Sequence, residues 1–182
     1  MNKGPSKLDD LQAIGRLVDV LPMFAELSEK ERGILAGVFT CRRIEHGETL
    51  CQEGDRGQSF FILAKGILEV YKEFPDARRE KLAEIGPDNL VGQVALIDGK
   101  PRSATCLARG PVIALECTRD DFSRLFQSGS PFALKIIDRV VVDLAKRLRE
   151  ANRQLHELYA NPTDTLRLLE QAALDIQQTI TA

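Results

Sequence analysis

The sequence predicts an α+β protein in which a β sandwich or jelly-roll barrel is flanked by helices. Between Thr40 and Cys117, short runs of strand-forming residues alternate with turns that contain glycine or proline, which is typical of a sandwich or barrel. On both sides of this region, apolar residues recur at helical spacing instead. The 182 residues suffice for one packed domain with additional helices.

The N-terminal segment, residues 1–40, is predicted to be helical. Pro22 interrupts a first helix, and Ser28 with Glu31 forms a capping-box pattern for a second, which is expected to end near Val38. The apolar face of the first helix consists of Leu8, Leu11, Ile14 and Val18.

Residues 41–131 are expected to form the β domain. Lys65 and Gly66 stand between two apolar runs and predict a tight hairpin. The segment 91–97 lies among the strands, yet its residue types favour a short helical turn.

Residues 132–182 are predicted to form C-terminal helices. Thr118 is a candidate cap for a short helix, and Pro131 is expected to begin a long one. Asn161 and Pro162 should end or kink it, and residues 163–180 predict a second amphipathic helix. The long helix carries an a/d seam, which is typical of a helix that pairs along its length: Ile137, Val141, Leu144, Leu148, Ala151, Leu155 and Leu158.

Composition and charge argue against a nucleic-acid-binding, secreted or membrane-spanning protein. The formal net charge is -2, which argues against nonspecific nucleic-acid binding. The N-terminus has no apolar stretch of a secretory signal, and no apolar run approaches the ~20 residues needed to cross a bilayer. We therefore expect a cytoplasmic protein without a membrane partner.

Cysteine and histidine usage gives no sign of a metal or catalytic site. The cysteines, at positions 41, 51, 106 and 117, have no metal-binding spacing and are interpreted as small, partly buried apolar residues. His46 and His156 are far apart in the sequence and are expected on the surface. A metal-dependent jelly-roll enzyme would need more ligands than these, so no metal, cofactor or enzymatic activity is predicted.

The segment 91–105, here called the cassette, has the residues of an anion site. Gly92 lets a ligand approach the backbone, and a helical turn over 93–97 would present unpaired N–H groups. Arg102 adds a planar charged fork that suits phosphate oxygens, and Ser103 adds a hydroxyl. The alternative is a surface turn whose arginine pairs with a nearby carboxylate.

The cassette resembles the phosphate-binding cassette of cyclic-nucleotide-binding domains, F-G-E-x-A-L, a short turn and P-R-[ASTV]-A-T. In this chain the two parts read VGQVAL, from Val91, and PRSAT, from Pro101. The flanking stretches LPMFAELSEKE, HGETLCQEGD and FFILAKGILEVY are also similar, so the resemblance covers roughly residues 15–158. It implies an eight-stranded β jelly roll flanked by helices, of which the last often pairs two subunits.

The resemblance also implies residue roles. Arg102 would grip the cyclic phosphate, and Ser103 with the backbone at Ala95 and Leu96 would complete that site. Gln93 stands where the family has the glutamate that binds the ribose 2′-hydroxyl, and Val91 replaces the usual phenylalanine. The long C-terminal helix caps the base in the family, which suggests Asn152. The implied binding set is Gly92, Gln93, Val94, Ala95, Leu96, Arg102, Ser103, Ala104 and Asn152.

Two functions remain open at this point. The first is a sensor that binds cyclic AMP, or cyclic GMP, and signals through its C-terminal helices to an unidentified output protein. The second is a domain that has lost binding and serves as a dimerisation scaffold, which Gln93 favours. Either would be a homodimer through residues of about 132–159. Tyr159 to Ala182 is too short for a winged helix-turn-helix, so direct DNA binding is not expected.

Overall fold

The structure, a computed structural model, describes residues 7–74 and 78–160 together with Leu166. Over these residues the chain forms eight strands, five α-helices and one 3₁₀ turn. In chain order they are α1 (Lys7–Val20), the 3₁₀ turn (Pro22–Phe24), α2 (Glu29–Ala36), β1 (Thr40–Ile44), β2 (Thr49–Cys51), β3 (Ser59–Lys65), β4 (Leu68–Glu73), β5 (Arg79–Ile85), β6 (Leu90–Val91), α3 (Gln93–Asp98), β7 (Thr105–Ala108), β8 (Val112–Thr118), α4 (Arg119–Gln127) and α5 (Pro131–Ala160).

The strands form two four-stranded antiparallel sheets, in the orders β1-β8-β3-β6 and β2-β7-β4-β5. This confirms the eight-stranded jelly roll with helices on the N-terminal side and a long C-terminal helix. Side chains from both sheets meet in one apolar core between them. The buried core comprises Ile44, Phe61, Leu63, Leu68, Val91, Cys106, Ala108, Val112 and Ala114.

Strand β3 is buried on both of its faces. All of its residues except Lys65 are buried, as expected of a central strand covered on both sides. Phe61 faces the core, whereas Phe60 packs edge-on against Phe122 of α4, with ring centroids 5.6 Å apart. The strand therefore joins the barrel interior to the helical layer, and the cassette arginine described below contacts both Ser59 and Phe61 of this strand.

The predicted helix boundaries are largely correct. The capping box of α2 is confirmed: the Ser28 side chain accepts a hydrogen bond from the Glu31 N–H, and the Glu31 carboxylate accepts one from the Ser28 N–H. This helix ends at Ala36, slightly before the expected position. Thr118 caps α4 through the Asp121 N–H, and α5 begins at Pro131 as predicted. The kink at Asn161 and Pro162 and the helix over 163–180 lie outside the described residues, apart from Leu166.

The hairpin predicted at Lys65 and Gly66 is wrong. Strand β3 pairs with β8 and β6, whereas β4 pairs with β5 and β7, so this turn passes from one sheet to the other. Gly66 has φ 85°, and a Cβ there would lie 2.5 Å from the carbonyl oxygen of Pro111. The glycine is thus required at a crowded corner of the barrel, and a tight turn alone could not distinguish this corner from a hairpin. The two-residue β6 was not predicted because it is too short to show periodicity.

The chain divides into two compact units, residues 1–137 and 138–182. The first contains both sheets and the cassette, and the second contains most of α5. None of the helices in the described part of the chain is long and apolar enough to cross a membrane.

Candidate functional site

A short helix follows directly on β6 in the cassette. Gly92 has φ 76° and leads into α3, which runs over Gln93–Asp98. The helix ends at Gly99, also in the left-handed region, whose N–H donates to the carbonyl oxygen of Ala95. The glycines at both ends adopt a conformation that other residues rarely take, which explains why so short a helix has sharp boundaries.

Arg102 folds back over the start of this helix and is buried, with 7% of its surface exposed. Its Nη1 donates to the carbonyl oxygen of Gly92 over 2.8 Å, and its Nη2 donates to Ser59 Oγ over 3.3 Å. The guanidinium also lies over the Phe61 ring, 5.6 Å from its centroid. A Cβ on Gly92 would lie 2.0 Å from Nη1, so Gly92 provides the room that the arginine occupies.

The alternative prediction, a surface arginine paired with a carboxylate, does not describe this residue. In the part of the chain that the structure describes, the contacts of Arg102 are with a carbonyl, a hydroxyl and an aromatic ring, none of which carries a charge. A guanidinium has more N–H donors than these two hydrogen bonds use. A buried cation without a counter-ion is costly, and an anionic ligand would offset that cost.

The loop between β2 and β3 holds the backbone of the arginine. The Arg102 N–H donates to the carbonyl oxygen of Asp55 over 2.8 Å, and the Gly54 N–H donates to the Arg102 carbonyl oxygen over 3.0 Å. Gly57 of the same loop packs against α3 so closely that a Cβ there would lie 2.2 Å from the Ala95 Cβ. This loop therefore fixes both the arginine and the helix.

The structure brings the predicted cassette residues together. Gln93 is buried, with 6% of its surface exposed, and it has a contact partner in the structure. Ala95 is buried too, while Gly92, Val94 and Ala104 are half-buried and Ser103 is exposed. Leu96 lies in α3, and only its backbone position is described. All of these residues belong to the first unit.

Asn152 lies on the exposed surface of α5, in the second unit. Its contact with a base, like the roles of the other members of the set, remains a prediction.

Three supporting residues were not predicted from the sequence. Lys72 of β4 pairs with the Glu53 carboxylate and donates to the carbonyl oxygen of Ser103 over 3.0 Å. The Lys72 hydrogen bond, aided by one from the Glu73 N–H, lowers the pKa of Glu53 below its ordinary value. Arg119 of α4 donates from Nη2 to the Ala95 carbonyl oxygen over 2.6 Å. These contacts join residues that are far apart in the sequence, so no local sequence pattern predicts them.

The histidines and cysteines do not gather into a metal centre in the described part of the chain. His46 Nδ1 accepts a hydrogen bond from the Gly110 N–H over 3.0 Å and so supports a turn.

Comparisons with known proteins point to the family suggested by the cassette. Residues 41–128 match the family model described as "Cyclic nucleotide-binding domain". The chain is 28% identical over 134 residues to the cyclic AMP receptor protein of Thermus thermophilus, covering 74% of this chain and 60% of that protein. It is 34% identical over 94 residues to the cAMP-dependent protein kinase regulatory subunit of Mycosarcoma maydis, covering 52% of this chain and 18% of that protein.

A solved structure also matches. A cyclic nucleotide-binding domain from Methylobacillus flagellatus superposes with a TM-score of 0.64 and 27% identity, covering 77% of this chain and 79% of that one. The sequence matches and the structural superposition thus indicate the same family. Residues 41–128 of this chain belong to the cyclic nucleotide-binding domain family.

Proposed function

We propose that this chain binds a cyclic nucleotide, with cyclic AMP as the principal candidate, and relays binding through its C-terminal helices. The observation that carries the proposal is the buried Arg102 guanidinium, whose described contacts include no carboxylate. A cyclic phosphate has one negative charge and two free oxygens, which matches one guanidinium fork. Cyclic AMP comes before cyclic GMP because both curated relatives bear names that refer to cyclic AMP.

The remaining members of the cassette would complete the site. The exposed Ser103 hydroxyl and the first N–H groups of α3 can donate to phosphate oxygens. Gln93 would contact the ribose, and Asn152 the base. A titration with cyclic AMP and cyclic GMP tests the proposal, and absence of binding to either would favour the alternative of a dimerisation scaffold.

Gln93→Glu is expected to tighten cyclic AMP binding several-fold. A hydrogen bond to a charged group contributes about 1.5–3 kcal/mol and a neutral one about 0.5–1.5 kcal/mol, so the exchange is worth about 1 kcal/mol. The measurement compares cyclic AMP with 2′-deoxy cyclic AMP, which lacks the hydroxyl and should show no gain. An equal gain for both ligands would mean that the new charge acts through Arg102 and not through the ribose.

The C-terminal helix is the proposed dimer interface. The seam on α5 is largely apolar and exposed in the chain: Val141 is 58% exposed, Leu148 63% and Leu155 52%. Exposed apolar stripes of this kind are typical of interfaces between subunits. The side chain of Leu158 lies outside the description, and Ile137 is half-buried.

Leu148→Glu is expected to convert a dimer into a monomer, because a charge in the middle of the seam would be buried without a partner. Sedimentation equilibrium measures the mass. Lys146→Glu, which changes charge on the same helix but off the seam, serves as the control and should leave the mass unchanged. A monomeric wild type, or a dimeric Leu148→Glu variant, would contradict the interface.

Signalling requires that the ligand favour one arrangement of the helices over another. We assign this role to residues 132–182, as dimerisation and signalling helices. The other two parts of the proposed division are the N-terminal helical segment, residues 1–40, and the β domain with the cassette, residues 41–131. It assigns the chain a cytoplasmic location and an unidentified output protein, and it assigns no catalytic activity and no direct DNA binding. These assignments extend beyond the relatives, since the chain spans 60% and 18% of their lengths.

A further inference from the structure

We propose that Cys51 and Cys106 form an oxidation site beside the cassette, in which a hydroperoxide attacks Cys51 and Cys106 then closes an intrachain disulfide. Cys51 ends β2 and Cys106 lies near the start of β7, and the two are direct partners in the antiparallel pairing of these strands. Both are free thiols in the structure. Their separation of 55 positions along the chain explains why spacing gave no signal of a pair.

The strand pairing places Cys51 and Cys106 opposite each other, directly after an irregularity in the register between Thr49 and Cys51. Residues directly opposite each other in antiparallel strands have Cα atoms about 4.5–5.5 Å apart. Disulfides need about 4.4–6.8 Å. Residues directly opposite each other in an antiparallel pair share one face of the sheet, and Cys106 belongs to the buried core against which Cys51 packs. The two thiols are close enough for each to shift the pKa of the other.

The surroundings give the two thiols different roles. Hydrogen bonding to Cys106, together with the positive charge of Arg102, lowers the pKa of Cys51 to about 7, although burial and, to a smaller extent, Asp55 act in the opposite direction. The same hydrogen bond and burial raise the pKa of Cys106. Cys51 is half-buried, whereas Cys106 is buried. Because the thiolate is the nucleophile, Cys51 is the sulfur that reacts first.

The other two cysteines lack this arrangement. Burial raises the pKa of Cys117 to about 12, so its thiol stays protonated. Cys41 is half-buried like Cys51, but its partner across the strands is Leu115. Cys41 therefore offers a control of similar burial whose cross-strand neighbour is not a cysteine.

The chemistry balances with hydrogen peroxide as the oxidant. The Cys51 thiolate attacks one peroxide oxygen, the O–O bond breaks, and Cys51 becomes a sulfenic acid while hydroxide leaves and is protonated to water. The Cys106 sulfur then loses its proton and attacks the Cys51 sulfur, which releases the second hydroxide as water. Two thiols lose two hydrogen atoms, and one peroxide becomes two water molecules.

The site is coupled to the cassette through Arg102. The loop that follows Cys51 holds the arginine backbone through Gly54 and Asp55, and the Glu53 N–H donates to the Thr105 hydroxyl next to Cys106 over 3.0 Å. An anion bound to Arg102 would offset the charge that stabilises the Cys51 thiolate. A bound cyclic nucleotide, which rests on the proposed function, should therefore slow oxidation about two- to fivefold.

The test maps thiols in the reduced full-length chain after treatment with hydrogen peroxide. After the peroxide is removed, the chain is unfolded in urea so that buried thiols are also blocked with N-ethylmaleimide, and peptides from a non-reducing digest are identified by mass. We expect a peptide pair joined through Cys51 and Cys106, lost on treatment with dithiothreitol, with Cys41 and Cys117 still alkylated. Blocked thiols at both Cys51 and Cys106, or Cys51 oxidised without a bond to Cys106, would overturn the inference. This readout uses the wild-type chain and does not depend on any variant folding.

Two cysteine variants test the roles of the two thiols, and added cyclic AMP tests the coupling to the cassette. Cys41→Ser should form the same bond at the same rate, whereas Cys106→Ser should leave a sulfenic acid at Cys51 that dimedone traps. Repeating the reaction with saturating cyclic AMP, and with adenosine as the control without phosphate, measures the coupling to Arg102. A disulfide in a chain that binds no nucleotide would contradict the proposed function alone. A chain that binds nucleotide but forms no disulfide would contradict only the oxidation site, and equal rates with and without bound nucleotide would contradict the coupling.

Discussion

Arg102→Ala should weaken cyclic nucleotide binding about 30-fold or more. Removing one partner of a buried charge pair costs about 2–5 kcal/mol, and each 1.4 kcal/mol is about tenfold in affinity. The cost should be large here because the guanidinium is buried with 7% exposure and would be the principal cationic partner of the phosphate. Calorimetric titration measures the dissociation constants.

Two controls separate loss of charge from loss of fold. Arg102→Lys keeps the positive charge but loses the planar fork, so it should bind between wild type and the alanine variant. Arg42→Ala removes an exposed arginine that pairs with Glu116 on β8, and it should bind as wild type does. If Arg102→Ala, folded by circular dichroism, binds as tightly as wild type, Arg102 does not hold the phosphate.

Gly57→Ala should displace α3 and weaken both the fold and nucleotide binding. The added Cβ would lie 2.2 Å from the Ala95 Cβ, a distance that packed side chains do not tolerate. Overpacking of this kind costs about 1–3 kcal/mol. We expect the free energy of unfolding in urea to fall by that amount, and the affinity for cyclic AMP to fall at least severalfold because Ala95 lies within the cassette.

The matched control is Gly86→Ala. An added Cβ at Gly86 meets nothing within 4 Å, and its φ is not in the left-handed region, so stability and binding should not change. Ala95→Gly added to Gly57→Ala removes the opposing methyl group and should restore much of the binding. If Gly57→Ala behaves like Gly86→Ala, the loop does not position α3.

The cassette could be predicted from the sequence because its parts are local. Gly92, the helical turn and Arg102 lie within ten positions of one another, and their spacing limits how they fold. Helix starts such as Ser28 and Pro131 were predictable for the same reason, since caps act over three or four residues. The series of short strands also predicted a barrel.

Features that depend on pairing between distant segments could not be predicted. The turn at Lys65 and Gly66 has the residues of a hairpin, and only the partners of β3 and β4 show that it joins two sheets. Ser59 contacts Arg102 across 43 positions. The Cys51–Cys106 pair was interpreted from spacing as two unrelated apolar residues, because their register is set by the barrel as a whole.

The most direct test of the central claim is a calorimetric titration of the full-length chain with cyclic AMP, cyclic GMP and 5′-AMP. We predict saturable binding of cyclic AMP, weakened about 30-fold or more by Arg102→Ala, and weaker binding of 5′-AMP, whose phosphate carries a second charge and is not closed onto the ribose as the proposed site requires. Absence of binding to both cyclic nucleotides by a folded chain would contradict the account and leave a domain that serves only as a scaffold.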